Sequence, residues 1–173
     1  MNRWKRFLIW IALIVLAFLL IGWRYIGQYG ISHGDTYEVN ANITDSKVLI
    51  AWQKSVYKEM LTMELVSYLE ERDVNVNLMD IKKLKKSMLN EYDAIIIMHT
   101  WQMWRPPRAV RKFVRQARSS DKIWVISTSN GADLMLDNVD GITSASDIND
   151  AQEDIDQTIT WLNKILSLET VSN

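Results

Sequence analysis

Three short stretches hold the residues able to do chemistry. Gln53–Lys54–Ser55–Val56–Tyr57–Lys58 offers an amide, a hydroxyl, a phenol and two cations directly after the apolar run Lys47–Val48–Leu49–Ile50–Ala51–Trp52. His99–Thr100–Trp101–Gln102–Met103–Trp104–Arg105 follows a second apolar run, and Ser127–Thr128–Ser129–Asn130–Gly131 a third. In open α/β sheets ligands sit outside the carboxyl ends of the strands, where all three stretches would lie. A hydroxyl and cations at a helix N-terminus can hold an anion. His99 can relay a proton near neutral pH, or simply bond the backbone as a structural loop histidine. Trp52 ends its strand and is expected to pack beneath the loop that follows.

Other chemistries are excluded by composition. The 173 residues include no cysteine, which removes disulfides, thiolate catalysis and cysteine-bound metal. Only His33 and His99 supply imidazole, too few for a histidine-rich metal site. No nucleophile elbow, Walker loop, zinc motif or carboxylate pair is present. Ser127 and Ser129 have no base nearby in sequence. A net charge of −1 provides no global field for nucleic acid.

The elements that must position these residues begin with an anchor. Residues 7–23, FLIWIALIVLAFLLIGW, carry no charge and suffice to cross a bilayer core of about 30 Å. Trp4 and Trp23 stand where interfacial aromatics belong, and Arg24 can snorkel. A cleaved leader is the competing reading, but no small-x-small motif follows the apolar run. Arg3, Lys5 and Arg6 precede the span, which puts the N-terminus inside and the remainder outside. Residues 1–26 are thus read as a signal anchor, 27–46 as a spacer rich in Gly and Asn, 47–168 as one domain and 169–173 as a tail. Asn42–Ile43–Thr44 matches a glycosylation acceptor within the spacer.

Within the domain, 47–52 reads as a buried strand, 53–57 as a loop and 59–72 as an amphipathic helix with Met60, Met63, Leu65, Val66 and Leu69 inward. Residues 73–78 alternate as an edge strand. Residues 81–90, with Lys82, Lys83, Lys85 and Lys86, form a wet helix or turn. Residues 92–98 are a central strand, 107–118 a helix opened by Pro106–Pro107, and 123–126 another strand. Residues 132–138 have room for a turn or two of helix, 141–145 for a last strand, and 147–168 for a helix burying Ile148, Ile155, Ile159, Leu162 and Leu166. Trp124 and Trp161 are core. This alternation predicts a parallel sheet of five strands with helices on both faces.

Tyr92–Asp93–Ala94–Ile95–Ile96–Ile97–Met98, then Thr100, Trp101 and Trp104, then Pro106–Pro107 and Val110–Arg111–Lys112–Phe113, resembles the third strand, aromatic loop and following helix of short-chain flavodoxins. Ser127–Thr128–Ser129–Asn130–Gly131 is similar to that family's second flavin-flanking loop, and Val139–Asp140–Gly141–Ile142–Thr143–Ser144–Ala145–Ser146 to its last strand. The resemblance spans 47–168. It implies a flavodoxin-like three-layer sandwich, strand order 2-1-3-4-5, behind one transmembrane helix. It implies FMN as cofactor and electron transfer as function. The FMN set would be Gln53, Lys54, Ser55, Tyr57 and Lys58 at the phosphate, with Thr100, Trp101, Trp104, Ser127, Thr128, Ser129, Asn130 and Gly131 around the ring. The phosphate loop departs from the pattern: Val56 takes the glycine position, and Ser55 alone keeps a hydroxyl. The alternative is a flavin-free domain serving as a membrane-tethered binding or scaffolding module.

Arg105, Arg108, Arg111, Lys112, Arg115 and Arg118 recur at helical spacing and form one basic face. It suits anionic lipid or an acidic protein partner; a merely solvated face is the plain reading. Acids between Asp133 and Asp156 place negative charge at another edge.

Overall fold

The computed structural model describes residues 3–29, 32–33, 36–42, 46–117 and 120–168. The chain divides into two compact units, Met1–Ile31 and Ser32–Asn173. The first is a single helix, α1 (Arg3–Tyr29), whose stretch Arg3–Ile21 is long and apolar enough to cross a membrane. Its large side chains, Trp4, Phe7, Trp10 and Phe18 among them, are exposed.

The second unit is built on a sheet with strands β1 (Ser32–His33), β2 (Tyr37–Val39), β3 (Lys47–Lys54), β4 (Asn75–Asp80), β5 (Ala94–Thr100), β6 (Ile123–Thr128) and β7 (Asp140–Ser144). Their spatial order is β2-β4-β3-β5-β6-β7, with β1 pairing to β3 off that path. The pairs β4–β3, β3–β5, β5–β6 and β6–β7 are all parallel. These five strands follow the expected order, but the sheet is not the five-stranded parallel one that the sequence predicts. β2 adds an antiparallel edge on β4, and β1 pairs antiparallel with Gln53 and Lys54. Both come from 27–46, the expected spacer. Strands of two and three residues are too short to show alternation in the sequence. Asn75 Nδ2 secures β2 by donating to Glu38 Oε1 at 2.9 Å and to the Asn40 carbonyl at 3.2 Å.

Helices cover both faces: α2 (Val56–Glu70), α3 (Met88–Glu91), α4 (Arg108–Ala117) and α5 (Ala151–Leu166). Residues along a strand point alternately to its two faces. Val48, Ile50, Trp52, Ile96 and Met98 therefore join α2 and α5 in one core. Leu49, Ala51, Ile95 and Ile97 join α4 through Val110, Phe113 and Val114 in the other. Strands buried on both faces must be apolar throughout, which is why these runs stand out in the sequence. Gly141 is fixed by β6, since a Cβ there would lie 2.0 Å from the Val125 carbonyl oxygen.

Several local expectations change. β3 runs on to Lys54, and α2 begins at Val56. Residues 132–138 are not helical. Met63 is 64% exposed and Ile148 59% exposed, so neither joins the core. Trp161 is buried and Trp124 half-buried, their rings stacked at 5.6 Å. Arg118 and the glycosylation positions Ile43 and Thr44 lie outside the described residues.

Candidate functional site

The loops after β5, β6 and β7 enclose a cavity of about 450 Å³. Thr100, Trp101, Met103 and Trp104 line one side, and Thr128, Ser129, Asn130 and Gly131 another. Asp133, Leu134, Ala145 and Ser146 complete it. The β5 loop is held by the Trp101 N–H donating to the Thr128 carbonyl at 2.9 Å. Beyond it, Gln102 and Arg105 exchange both backbone hydrogen bonds at 2.9 Å, so Met103 and Trp104 form a two-residue hairpin tip. Tips of the type I′ kind need positive φ at both central residues. Met103 and Trp104 have φ of 46° and 61°, where asparagine and glycine would be at ease. In the β6 loop, the Ala132 N–H donates to the Ser129 carbonyl, and the positive φ of 49° falls on Ala132 rather than Gly131.

The β3 end is different. Its link to α2 is the single residue Ser55, an extended N-cap whose Oγ accepts from the Lys58 N–H at 3.3 Å. Gln53 is buried, and its Oε1 accepts from the Thr100 N–H at 2.7 Å, bridging the ends of β3 and β5. Lys58 is only 1% exposed and turns inward. Its Nζ donates to Thr100 Oγ1 at 2.7 Å, and Thr100 Oγ1 lies 2.9 Å from Thr128 Oγ1. Among the described residues no carboxylate is paired with Lys58, and burial lowers its pKa from 10.5 to about 8. Tyr57 also points inward. Its phenol donates to Asp154 and lies 2.9 Å from Ser144 Oγ, tying α2 to β7 and α5. Burial first, and then the Asp154 bond, raise the phenol's pKa and keep it neutral. Lys54 is half-buried at the end of β3, opposite Ser32 in the β1 pairing.

His99 is not a loop residue. It is buried on β5, with Nε2 3.1 Å from Ser127 Oγ. Burial lowers its pKa from 6.5 to about 4, and the nearby Lys58 charge acts the same way. The backbone of Thr100 opposes this lowering, and the Ser127 contact is with a side chain of the neighbouring strand, a pairing that the β5–β6 register brings about. Ser127 lies on β6, beneath the cavity rather than on its lining. Among the described residues, no hydrogen-bond partner meets the buried His99 Nδ1, Trp101 Nε1 or Trp52 Nε1.

Five parallel strands in the order β4-β3-β5-β6-β7 have the doubly wound 2-1-3-4-5 arrangement. The fold is flavodoxin-like. No protein-family model matches the chain, and no curated protein matches it. Among solved structures, it is similar to oxidised flavodoxin 2 from Bacillus cereus at 17% identity, covering 69% of this chain and 99% of that one, TM-score 0.47. A short-chain flavodoxin associated with a bacterial microcompartment shares 13% identity over 69% of this chain and 96% of its own, TM-score 0.48. A pneumococcal flavodoxin shares 13% over 68% and 97%, TM-score 0.48. The strand order itself carries the fold.

In this fold FMN binds at the switch point between the first and third parallel strands, here β3 and β5. The residues present do not fit its phosphate. Gln53 and Lys58 bridge that crevice to Thr100, and a one-residue turn leaves no loop to wrap an anion. Of the thirteen expected site residues, Gln53 and Lys58 meet Thr100 at the edge of the cavity, but not all thirteen line it. Thr100, Trp101, Trp104, Thr128, Ser129, Asn130 and Gly131 line the cavity. Gln53, Lys54, Ser55, Tyr57, Lys58 and Ser127 do not. Met103 also lines the cavity, beside the expected Trp104, as do Asp133, Leu134, Ala145 and Ser146; nothing in the sequence shows that the β7 loop folds over the β6 loop.

Proposed function

We propose that this is a membrane-tethered flavodoxin-fold domain that works without FMN, as a binding module whose ligand site is the cavity over β5, β6 and β7. The observation that carries this reading is the closed switch point, where Lys58 and Gln53 bond Thr100 in place of an anion. α1 serves as a single-pass anchor, and Arg3, Lys5 and Arg6 ahead of the uncharged run 7–23 favour an inside N-terminus and an outside domain. FMN binding with electron transfer is the second reading. It is favoured by Trp101, a rigid aromatic on the cavity wall whose buried Nε1 meets no partner among the described residues.

Titration of FMN into the full-length protein in detergent, followed by flavin fluorescence, separates the two. No saturable quenching is expected. Tight saturable quenching would sink the flavin-free reading. Weakening of that binding by Trp101→Ala would then place the flavin in the cavity.

A further inference from the structure

We propose that the domain carries a docking surface for anionic lipid, made of the Met103–Trp104 tip, the cationic face of α4 and two lysines beside it. The inference is independent of what the cavity binds. Met103 is 93% exposed and Trp104 79% exposed, at the apex of a hairpin held in left-handed backbone. Apolar side chains this exposed are left largely to solvent. An aromatic tip flanked by arginine suits the bilayer interface, where indole rings sit among headgroups and cations meet phosphates. Arg105 follows the tip directly, and Arg108, Arg111, Lys112 and Arg115 are exposed along α4. The other side of that helix, Val110, Phe113 and Val114, is buried against the sheet.

The charge is uncompensated. No Asp or Glu occurs from residue 94 to 120, and among the described residues none of these cations is in an ion pair. Lys85 and Lys86 extend the same face, lining with Lys112 a cavity of about 210 Å³ beside α4. The helices across the sheet, α2 and α5, expose the acids Glu64, Glu70, Glu153 and Asp156, while Glu91 of α3 is the exposed acid of the helices on the α4 side. This separation of charge orients the domain over an anionic surface.

The chain itself indicates the occupant. α1 contains a stretch, Arg3–Ile21, able to cross a bilayer, and in the sequence only residues 22–31 separate that stretch from Ser32. A domain on such a tether works at a lipid surface, where electrostatic attraction acts over a Debye length of about 10 Å.

The absence of cysteine makes the test clean. The full-length protein with Met103→Cys, labelled with an environment-sensitive fluorophore, is reconstituted in phosphatidylcholine vesicles with and without phosphatidylglycerol. The emission is expected to shift to the blue only with phosphatidylglycerol and to return in high salt. A label at Glu64→Cys on α2 stays unshifted in both. Arg111→Gln with Arg115→Gln reduces the shift, with unchanged far-ultraviolet dichroism showing that the fold is kept. Equal emission in the two vesicle types overturns the proposal. So does a shift that polyglutamate produces in neutral vesicles, which assigns the surface to an acidic protein instead.

Discussion

Two buried titratable side chains give the domain opposite ends of a pH profile. Lys58 is held below its ordinary pKa by burial, so the folded chain carries an unfavourable charge below about pH 8. Between about pH 8 and 10.5 the unfolded state still binds the proton that the folded state has released, so stability rises with pH there. At ~1.4 kcal/mol per pKa unit the penalty at neutral pH is about 3 kcal/mol. Lys58→Met removes it and also loses one hydrogen bond of about 1 kcal/mol. Urea unfolding at pH 7 is expected to show the variant about 2 kcal/mol more stable, with the gap closing by pH 10.5. His99 acts at the acid end. It is neutral in the fold down to about pH 4 but binds a proton below about 6.5 when unfolded. Stability therefore falls as pH drops through that window, by about 3 kcal/mol from this group. In His99→Gln the slope of stability against pH between 6.5 and 4 should be shallower by one proton. The sequence marks both residues as chemically able. It cannot show that both turn inward, because burial of a side chain depends on which strand lies beside it.

At the scale of elements, the tip between β5 and α4 is the least comfortable part of the chain. Non-glycine residues at positive φ cost about 1–3 kcal/mol each, and Met103 and Trp104 both bear this. Trp104→Gly should raise the unfolding midpoint by the equivalent of about 1 kcal/mol, since the ring is exposed and has little packing to lose. A fall in stability would show that the ring packs. The central strands were legible because burial on both faces requires unbroken apolar runs, as in Ala94–Thr100 and Ile123–Thr128. The connection from β3 to α2 was not. Gln53, Lys54, Ser55 and Tyr57 have the composition of a loop, yet strand pairing with β1 absorbs Gln53 and Lys54, and Ser55 alone caps the helix.

For the molecule as a whole, one sheet is shared by two cores, and its faces should melt together. Ile96 points to α2 and α5, and Ile97 to α4. Ile96→Ala and Ile97→Ala are each expected to cost about 2–5 kcal/mol and to shift the same single urea transition, read by tryptophan fluorescence and circular dichroism. Two separated transitions would show that the faces unfold independently. The sequence by itself determined the helix able to cross a membrane, the alternation of strands and helices, and the basic row on α4. Each is a periodic or compositional pattern that local physics imposes on the chain. Only the tertiary structure decided what stands at the carboxyl ends of the strands. Whether Lys58 meets an anion or Thr100 depends on the register of β3 against β5 and on residues 32–33 pairing beyond the end of the sheet. Such contacts join residues far apart in the chain, so no local pattern encodes them.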